Sequence, residues 1–257
     1  MNTSDNQFPI QSGKTMLDVV EVLRRRDNAT VTEIAAALDI SKSTAYNHVT
    51  TLRSGGYLRK DGSRYKLSFK FLEIGDDCRR RNGVYEIARP EIEKLAAETN
   101  EVANLMFEEG GRGVHVYRSR NEVDIQLPNK PGMRVPLHCT SLGKAILAHR
   151  PDEWVRDVVA EHGLSARTEH TITDEDALFE ELEDVRTRGY ALDREENILG
   201  LRCVAVPIHH DERVVASISV SGPKRRMKAE RFREEVPELL LSKANVIELN
   251  IRNMTNS

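Results

Sequence analysis

No stretch of the 257 residues approaches the roughly 18 uncharged apolar positions that a membrane-spanning helix needs, so a transmembrane protein is excluded first. The beginning, Met1-Asn2-Thr3-Ser4-Asp5, lacks the basic and apolar regions of a secretory leader, and the chain is expected in the cytoplasm. Cysteine is scarce: Cys78, Cys139 and Cys203 are odd in number and far apart, which suits neither a disulfide framework nor a metal cluster. No nucleophile elbow, phosphate loop or metal-ligand spacing is present, and there is no internal repeat or low-complexity segment. What is there is a charged chain, 31% Asp, Glu, Lys and Arg with a mean hydropathy of -0.51, typical of a soluble globular protein.

The net charge of -3 conceals an asymmetry. Residues 1–82 hold 14 basic and 10 acidic side chains, a balance of +4, which leaves -7 on the other 175. A basic N-terminal part joined to an acidic C-terminal part is the pattern of a nucleic-acid-binding module fused to something else.

Met16, Val19, Val20 and Leu23 recur at helical spacing, predicting an amphipathic helix from Lys14 to Arg26. Thr30 with Glu33 forms a capping box for a short second helix carrying Ile34, Ala35 and Leu38. Ser41 caps a third helix, which puts Ala45, Val49 and Leu52 inside and Ser43, Asn47, Thr50 and Ser54 outside, and Gly55-Gly56 ends it. Asn can read adenine in the major groove and Ser or Thr several base edges. Tyr57 to Leu67 then reads as a hairpin around Asp61-Gly62-Ser63, with basic residues near its tip. Together these predict a winged helix-turn-helix over 1–67, with double-stranded DNA as partner. Ser43, Thr44, Asn47 and Thr50 are expected to read bases, Tyr46 to touch the backbone, and Arg59, Lys60, Arg64 and Lys66 to neutralise phosphates. His48, beside the apolar stripe, is expected to pack.

Phe69, Phe71, Leu72 and Ile74, followed by a charged run to Asn82, predict a helical linker over 68–82, and Arg79-Arg80-Arg81 reads as its solvated end. Residues 83–257 predict an α+β domain whose antiparallel sheet is covered by helices. Helices are expected from Tyr85 to Thr99, from Ser141 to His149, after Pro151, from Asp174 to Arg188, and from Lys228 to Arg252. Strands are expected at 102–107, 113–118 and 122–127, and in a hairpin where Val204, Val206 and Ile208 alternate, as do Ala216, Ile218 and Val220.

Three segments of this domain collect groups suited to a small anion. Thr140-Ser141-Leu142-Gly143 leads into a helix, so its backbone N–H groups can face a carboxylate. Asp193 to Cys203 is a polar loop feeding the hairpin, and Ser219 and Ser221 share one strand face. Cys203, His138 and Asp193 could instead be drawn as a nucleophilic trio, giving the alternative of a metabolite-binding enzyme with a tethered DNA anchor. A Cys in a Val/Ala-rich strand is usually a small buried hydrophobe, and His209-His210-Asp211 is better read as a turn than as a metal site. Ligand binding without catalysis, metal or cofactor is the reading preferred; a non-specific architectural DNA binder is a further rival.

The chain resembles the IclR (isocitrate lyase regulator) family of prokaryotic transcription factors across nearly its whole length. The resemblance rests on Ser43-Thr44-Ala45 with Leu52 and Gly56-Tyr57, on Tyr65-Lys66-Leu67, and on Leu72-Glu73-Ile74-Gly75. It continues in Leu142-Gly143-Lys144-Ala145-Ile146-Leu147-Ala148, in Arg194-Glu195-Glu196 with Gly200-Leu201-Arg202-Cys203-Val204-Ala205, and in Ser219-Val220-Ser221-Gly222-Pro223. It implies a GAF-like effector domain, a dimer that often pairs into a tetramer, and control by small organic acids or aromatic metabolites. The positions that look like the family's effector contacts are Ser141 and Leu142 through the backbone, with Asp193, Cys203, Ser219 and Ser221; Thr140, at the same helix entrance, joins them as an effector-binding candidate. In the recognition helix, Asn47 stands where many members carry Arg, and His48 where an apolar residue is usual.

Overall fold

The computed structural model describes residues 8–119 and 130–255, and the chain divides into two compact units after Cys78. The first begins with α1 (Gln11–Arg26), three residues earlier than the apolar periodicity announces. A two-residue strand β1 (Ala29–Thr30) leads into α2 (Val31–Leu38), and α3 (Lys42–Ser54) follows across a tight turn. The capping box forms as its sequence dictates: the Glu33 N–H donates to Thr30 Oγ1 at 3.2 Å, and the Thr30 N–H to Glu33 Oε2 at 2.7 Å. Ser41 caps α3 by accepting the Thr44 N–H. β2 (Leu58–Asp61) and β3 (Arg64–Leu67) pair antiparallel around Gly62, whose φ of +58° permits the two-residue turn. β1 adds to the far side of β3, a pairing too short to show in the sequence. Val19, Leu23, Ile34, Ala45, Val49 and Leu52 from the helices close on Leu58 and Tyr65 of the wing to make the core. α4 (Lys70–Arg80) then leaves this core, with Phe69, Leu72 and Ile74 exposed.

The second unit is built on a six-stranded antiparallel sheet of order β6-β5-β4-β9-β8-β7. Its strands are β4 (Val102–Glu109), β5 (Arg112–Ser119), β6 (Arg134–Pro136), β7 (Ala191–Arg194), β8 (Leu201–His210) and β9 (Arg213–Pro223). Period-two alternation sorts side chains between its faces. Ala103, Leu105, Val204, Val206, Ile218 and Val220 pack under α5 (Gly83–Thr99) and the C-terminal α9 (Val236–Thr255). Met106, Ala191, Ala205 and Val214 face α6 (Ser141–Leu147), α7 (Asp152–His162) and α8 (Glu175–Arg188).

Several elements differ from their expected form. Asp193 is not in a loop but on β7, paired across from Cys203; Ala191 to Arg194 is too short a run for alternation to declare itself. α6 ends at Leu147 rather than His149, and the C-terminal helix opens with a π-helical turn over Arg231–Glu235 before α9. The strand expected at 122–127 lies outside the described residues. No helix among those described is long and apolar enough to cross a membrane.

Candidate functional site

In the first unit α3 carries its small polar face outward: Ser43, Tyr46, Asn47 and Thr50 are exposed opposite buried Ala45, Val49 and Leu52. Thr44 is half-buried, and its hydroxyl lies 2.8 Å from Ser41 Oγ, which also meets Ser43 Oγ at 2.9 Å. These two hydroxyls thus belong to the cap as well as to the outer face, whereas Asn47 and Thr50 stand clear of it. His48 is half-buried. On the wing, Arg59 and Lys60 are exposed on β2, lying over the rings of Phe69 and Tyr65. Arg64 and Lys66 are paired inside the domain. Arg64 Nη2 is 2.8 Å from Glu33 Oε2 and its Nε donates to Asn28, while Lys66 Nζ is 3.3 Å from Asp61. Glu33, already accepting the Thr30 N–H, is thereby held below the usual carboxylate range.

In the second unit Thr140, Ser141, Leu142, Asp193, Cys203, Ser219 and Ser221 all line one cavity. β9 is a central strand of the sheet, and Ser219 and Ser221 are both buried on it. Of the α6 amides, that of Gly143 is taken up by the helix cap. α6 has only seven residues, and the Gly143 N–H donates to Thr140 Oγ1 at 3.0 Å, so it does not face the cavity as a free donor.

Asp193 is enclosed, and its Oδ1 accepts the Glu196 N–H at 2.7 Å. Burial, with the neighbouring Glu196 carboxylate, pushes its pKa up to about 7. Behind it Lys144, wholly buried, donates to both Glu196 oxygens at 2.7 and 2.8 Å, and Glu181 lies 3.3 Å from the same Nζ. Thr168 and Thr171 donate to the Glu195 and Glu196 carbonyls at 2.7 and 2.6 Å. The segment that carries Asn197 and Ile198 into the cavity is therefore anchored from outside.

The nucleophilic trio does not assemble. His138 is hydrogen-bonded to the Ser165 carbonyl at 3.2 Å and lines a different cavity. Burial and the nearby Asp193 raise the Cys203 thiol well above its ordinary pKa, the opposite of an activated thiolate. His209 is bonded to Glu248 of α9, and no group of three potential metal ligands exists among the described residues.

Sequence reasoning missed the remaining polar wall: Asn104 on β4 and His115 and Arg118 on β5. Three apart on a strand, the last two ought to face opposite ways. The ladder shifts register here, Leu105 opposing Tyr117 and Met106 opposing His115, so Val116 is an extra residue. This bulge turns Arg118 to the His115 side, where its Nε donates to Asn104 Oδ1 at 3.1 Å.

Two family models match the chain: "IclR helix-turn-helix domain" over residues 16–62 and "Bacterial transcriptional regulator IclR C-terminal" over residues 79–249. The chain belongs to the IclR family. It is a transcriptional regulator of a DNA-binding family, not an enzyme. Among its relatives is a probable HTH-type transcriptional regulator ArcR of Halobacterium salinarum, 32% identical over 247 residues that cover 94% of each chain. The crystal structure of the Thermotoga maritima IclR superposes with a TM-score of 0.78 at 33% identity, covering 93% of this chain and 96% of that one. An IclR homologue from Microbacterium hydrocarbonoxydans complexed with 4-hydroxybenzoate shares the fold, with a TM-score of 0.82 at 23% identity over 94% of this chain and 99% of the other.

Proposed function

We propose that this IclR-family protein is a ligand-responsive regulator of a catabolic or metabolic operon, acting in the cytoplasm as a dimer or dimer of dimers on a near-palindromic operator. In this reading α3 and the wing meet the DNA, with Asn47 and Thr50 at base edges and Arg59 and Lys60 on phosphates. A small organic acid or sugar acid enters the sheet cavity and alters DNA binding. The observation that carries the reading is the convergence of all seven effector positions, drawn from three distant segments, on one cavity. The carboxylate bound by the Microbacterium homologue supports the same chemical class. For the ligand to switch the protein it must favour one DNA-binding state over the other, since equal affinity shifts nothing.

A thermal-shift screen of small carboxylates and sugar acids tests the cavity, because a ligand of the folded state raises Tm. Footprinting on promoter and random DNA, with and without the hit, tests the switch. The expected result is selective promoter protection that the ligand changes. Equal protection of random and promoter DNA would overturn the proposal.

A further inference from the structure

We infer a second ligand site in the second unit, apart from the sheet cavity: a groove where β4 and β9 separate takes an aliphatic carboxylic acid, its carboxylate on Arg150 and Arg213 and its tail on the apolar wall.

The groove follows from how the sheet is paired. β4 and β9 run together from Val102–Ser221 to Met106–Ser217, and their pairing stops there. Beyond that point each strand stays with its outer neighbour, Phe107 and Glu108 opposite Val114 and Gly113 of β5, Arg213 and Val214 opposite His210 and His209 of β8. Both outer pairs are bulged close to the parting, with Val116 extra on β5 and Val215 extra on β9. A bulge increases local twist, so the two hairpins turn away from each other and leave a gap in the sheet. Asn82 and Val84 at the start of α5 line it from one face, and Ile146 of α6 with Arg150 from the other.

The chemistry of the lining is one-sided. Ile146 and Val214 are buried, Val84, Phe107 and Val215 half-buried, and together they form an apolar wall that is aliphatic but for one ring. The polar groups left over are donors. Asn82 Oδ1 accepts the Val84 N–H at 3.1 Å to cap α5, which leaves its amide nitrogen to donate elsewhere. Arg213 is exposed, and its guanidinium has no partner among the described residues; Asp211, in the adjoining turn, lies 3.4 Å from His210 instead. Arg150 Nη2 reaches Glu108 Oε2 only at 3.3 Å, and its Nε, shielded from solvent, has no hydrogen-bond partner among the described residues. Glu108 is the acid of the lining, and both its oxygens are engaged, Oε1 by the Gly111 N–H at 2.9 Å. Two guanidinium charges thus face one satisfied carboxylate. An apolar wall with a few convergent donors suits an anionic head on an apolar body, and a guanidinium matches a carboxylate in shape and donor spacing. No residue lines both this groove and the sheet cavity, so the two sites can be separated by mutation.

Trp154, the only tryptophan of the chain, lies 5.3 Å from the Arg150 guanidinium, and its emission therefore reports on the groove. The full chain is titrated with octanoate, octan-1-ol and acetate. Octanol keeps the tail without the charge, and acetate the charge without the tail. Wild type is expected to give a saturable emission change with octanoate, at a Kd about tenfold or more below that for either control. Arg213→Gln should weaken octanoate by about tenfold and leave octanol unchanged, whereas Arg213→Lys should lose less. Arg213 is exposed, so both variants are expected to keep the wild-type Tm. Octanoate binding alike to wild type and Arg213→Gln would place it elsewhere and overturn the inference. Octanol or acetate matching octanoate, or no saturable change in wild type, would overturn it too.

Discussion

Lys144 and Glu196 form a buried ion pair, with the Lys144 ammonium 2.7 and 2.8 Å from the two carboxylate oxygens and no solvent exposure of its own. The pair ties α6 to the turn between β7 and β8, the two segments that bring Ser141 and Asn197 to the cavity. Removing the cation alone, in Lys144→Met, leaves the Glu196 charge enclosed and uncompensated. The expected cost is about 3–5 kcal/mol in urea denaturation of the second unit. Lys144→Met combined with Glu196→Gln should be less damaging than Lys144→Met alone, because the stranded charge is gone; a double variant as unstable as the single one would contradict this account.

Asp193 makes stability depend on pH in an uncommon direction for a carboxylate. Its pKa rises from the usual 3.8 to about 7 on folding, so between those values the folded chain holds a proton that the unfolded chain has released. The resulting stabilisation is complete below about pH 4 and is lost as pH rises through 7, with a total on the order of 4 kcal/mol. His115, lowered from 6.5 to about 4, acts oppositely: its contribution is present above 6.5 and lost as pH falls through 4. Asp193→Asn keeps an oxygen for the Glu196 N–H and removes only the first effect. Denaturation midpoints from pH 5 to 8 should therefore fall more steeply for wild type than for Asp193→Asn, and parallel curves would refute the assignment.

The winged helix could be read directly because its signals are local: a capping box at Thr30, a cap at Ser41, and a Gly62 turn between alternating strands. The seven cavity positions were legible in three segments suited to an anion, six of them also through motif resemblance, although they spread over some 80 residues. Asn104, His115 and Arg118 were not. Nothing in Val114-His115-Val116-Tyr117-Arg118 marks which residue is extra, since the bulge is a property of how β5 pairs with β4. The ties of Arg64 to Glu33 and Asn28 are likewise long-range, and in sequence Arg64 is indistinguishable from a phosphate-seeking wing cation.

Gly143 illustrates a motif residue with a steric reason. A Cβ at this position would collide with the backbone of Leu137, against its carbonyl oxygen and Cα. Neither atom belongs to a flexible side chain that could swing aside, so α6 must shift bodily. Gly143→Ala is expected to destabilise the second unit by about 1–3 kcal/mol or more and to displace Ser141 and Leu142 from the cavity. Calorimetric unfolding and the loss of the ligand-induced Tm shift would register both, and a variant with wild-type Tm and ligand response would show that the close approach is not required.

The DNA-facing residues divide into three experimental classes. Asn47 stands exposed on α3 among small polar neighbours, so Asn47→Ala should change which base is preferred at one operator position, by about 1–3 kcal/mol. Lys60→Ala should weaken every sequence alike and lower the slope of log affinity against log salt by about one. Arg64 carries the same charge on the same wing, but its guanidinium is paired with Glu33. Arg64→Ala should therefore change the salt slope less than Lys60→Ala and loosen the contact of the wing with α2 instead, visible as a lower Tm of the first unit. Fluorescence anisotropy on operator and scrambled duplexes across a salt series separates the three. Equal slopes lost in Lys60→Ala and Arg64→Ala would mean that the Glu33 pair opens on DNA and that Arg64 turns to the phosphates.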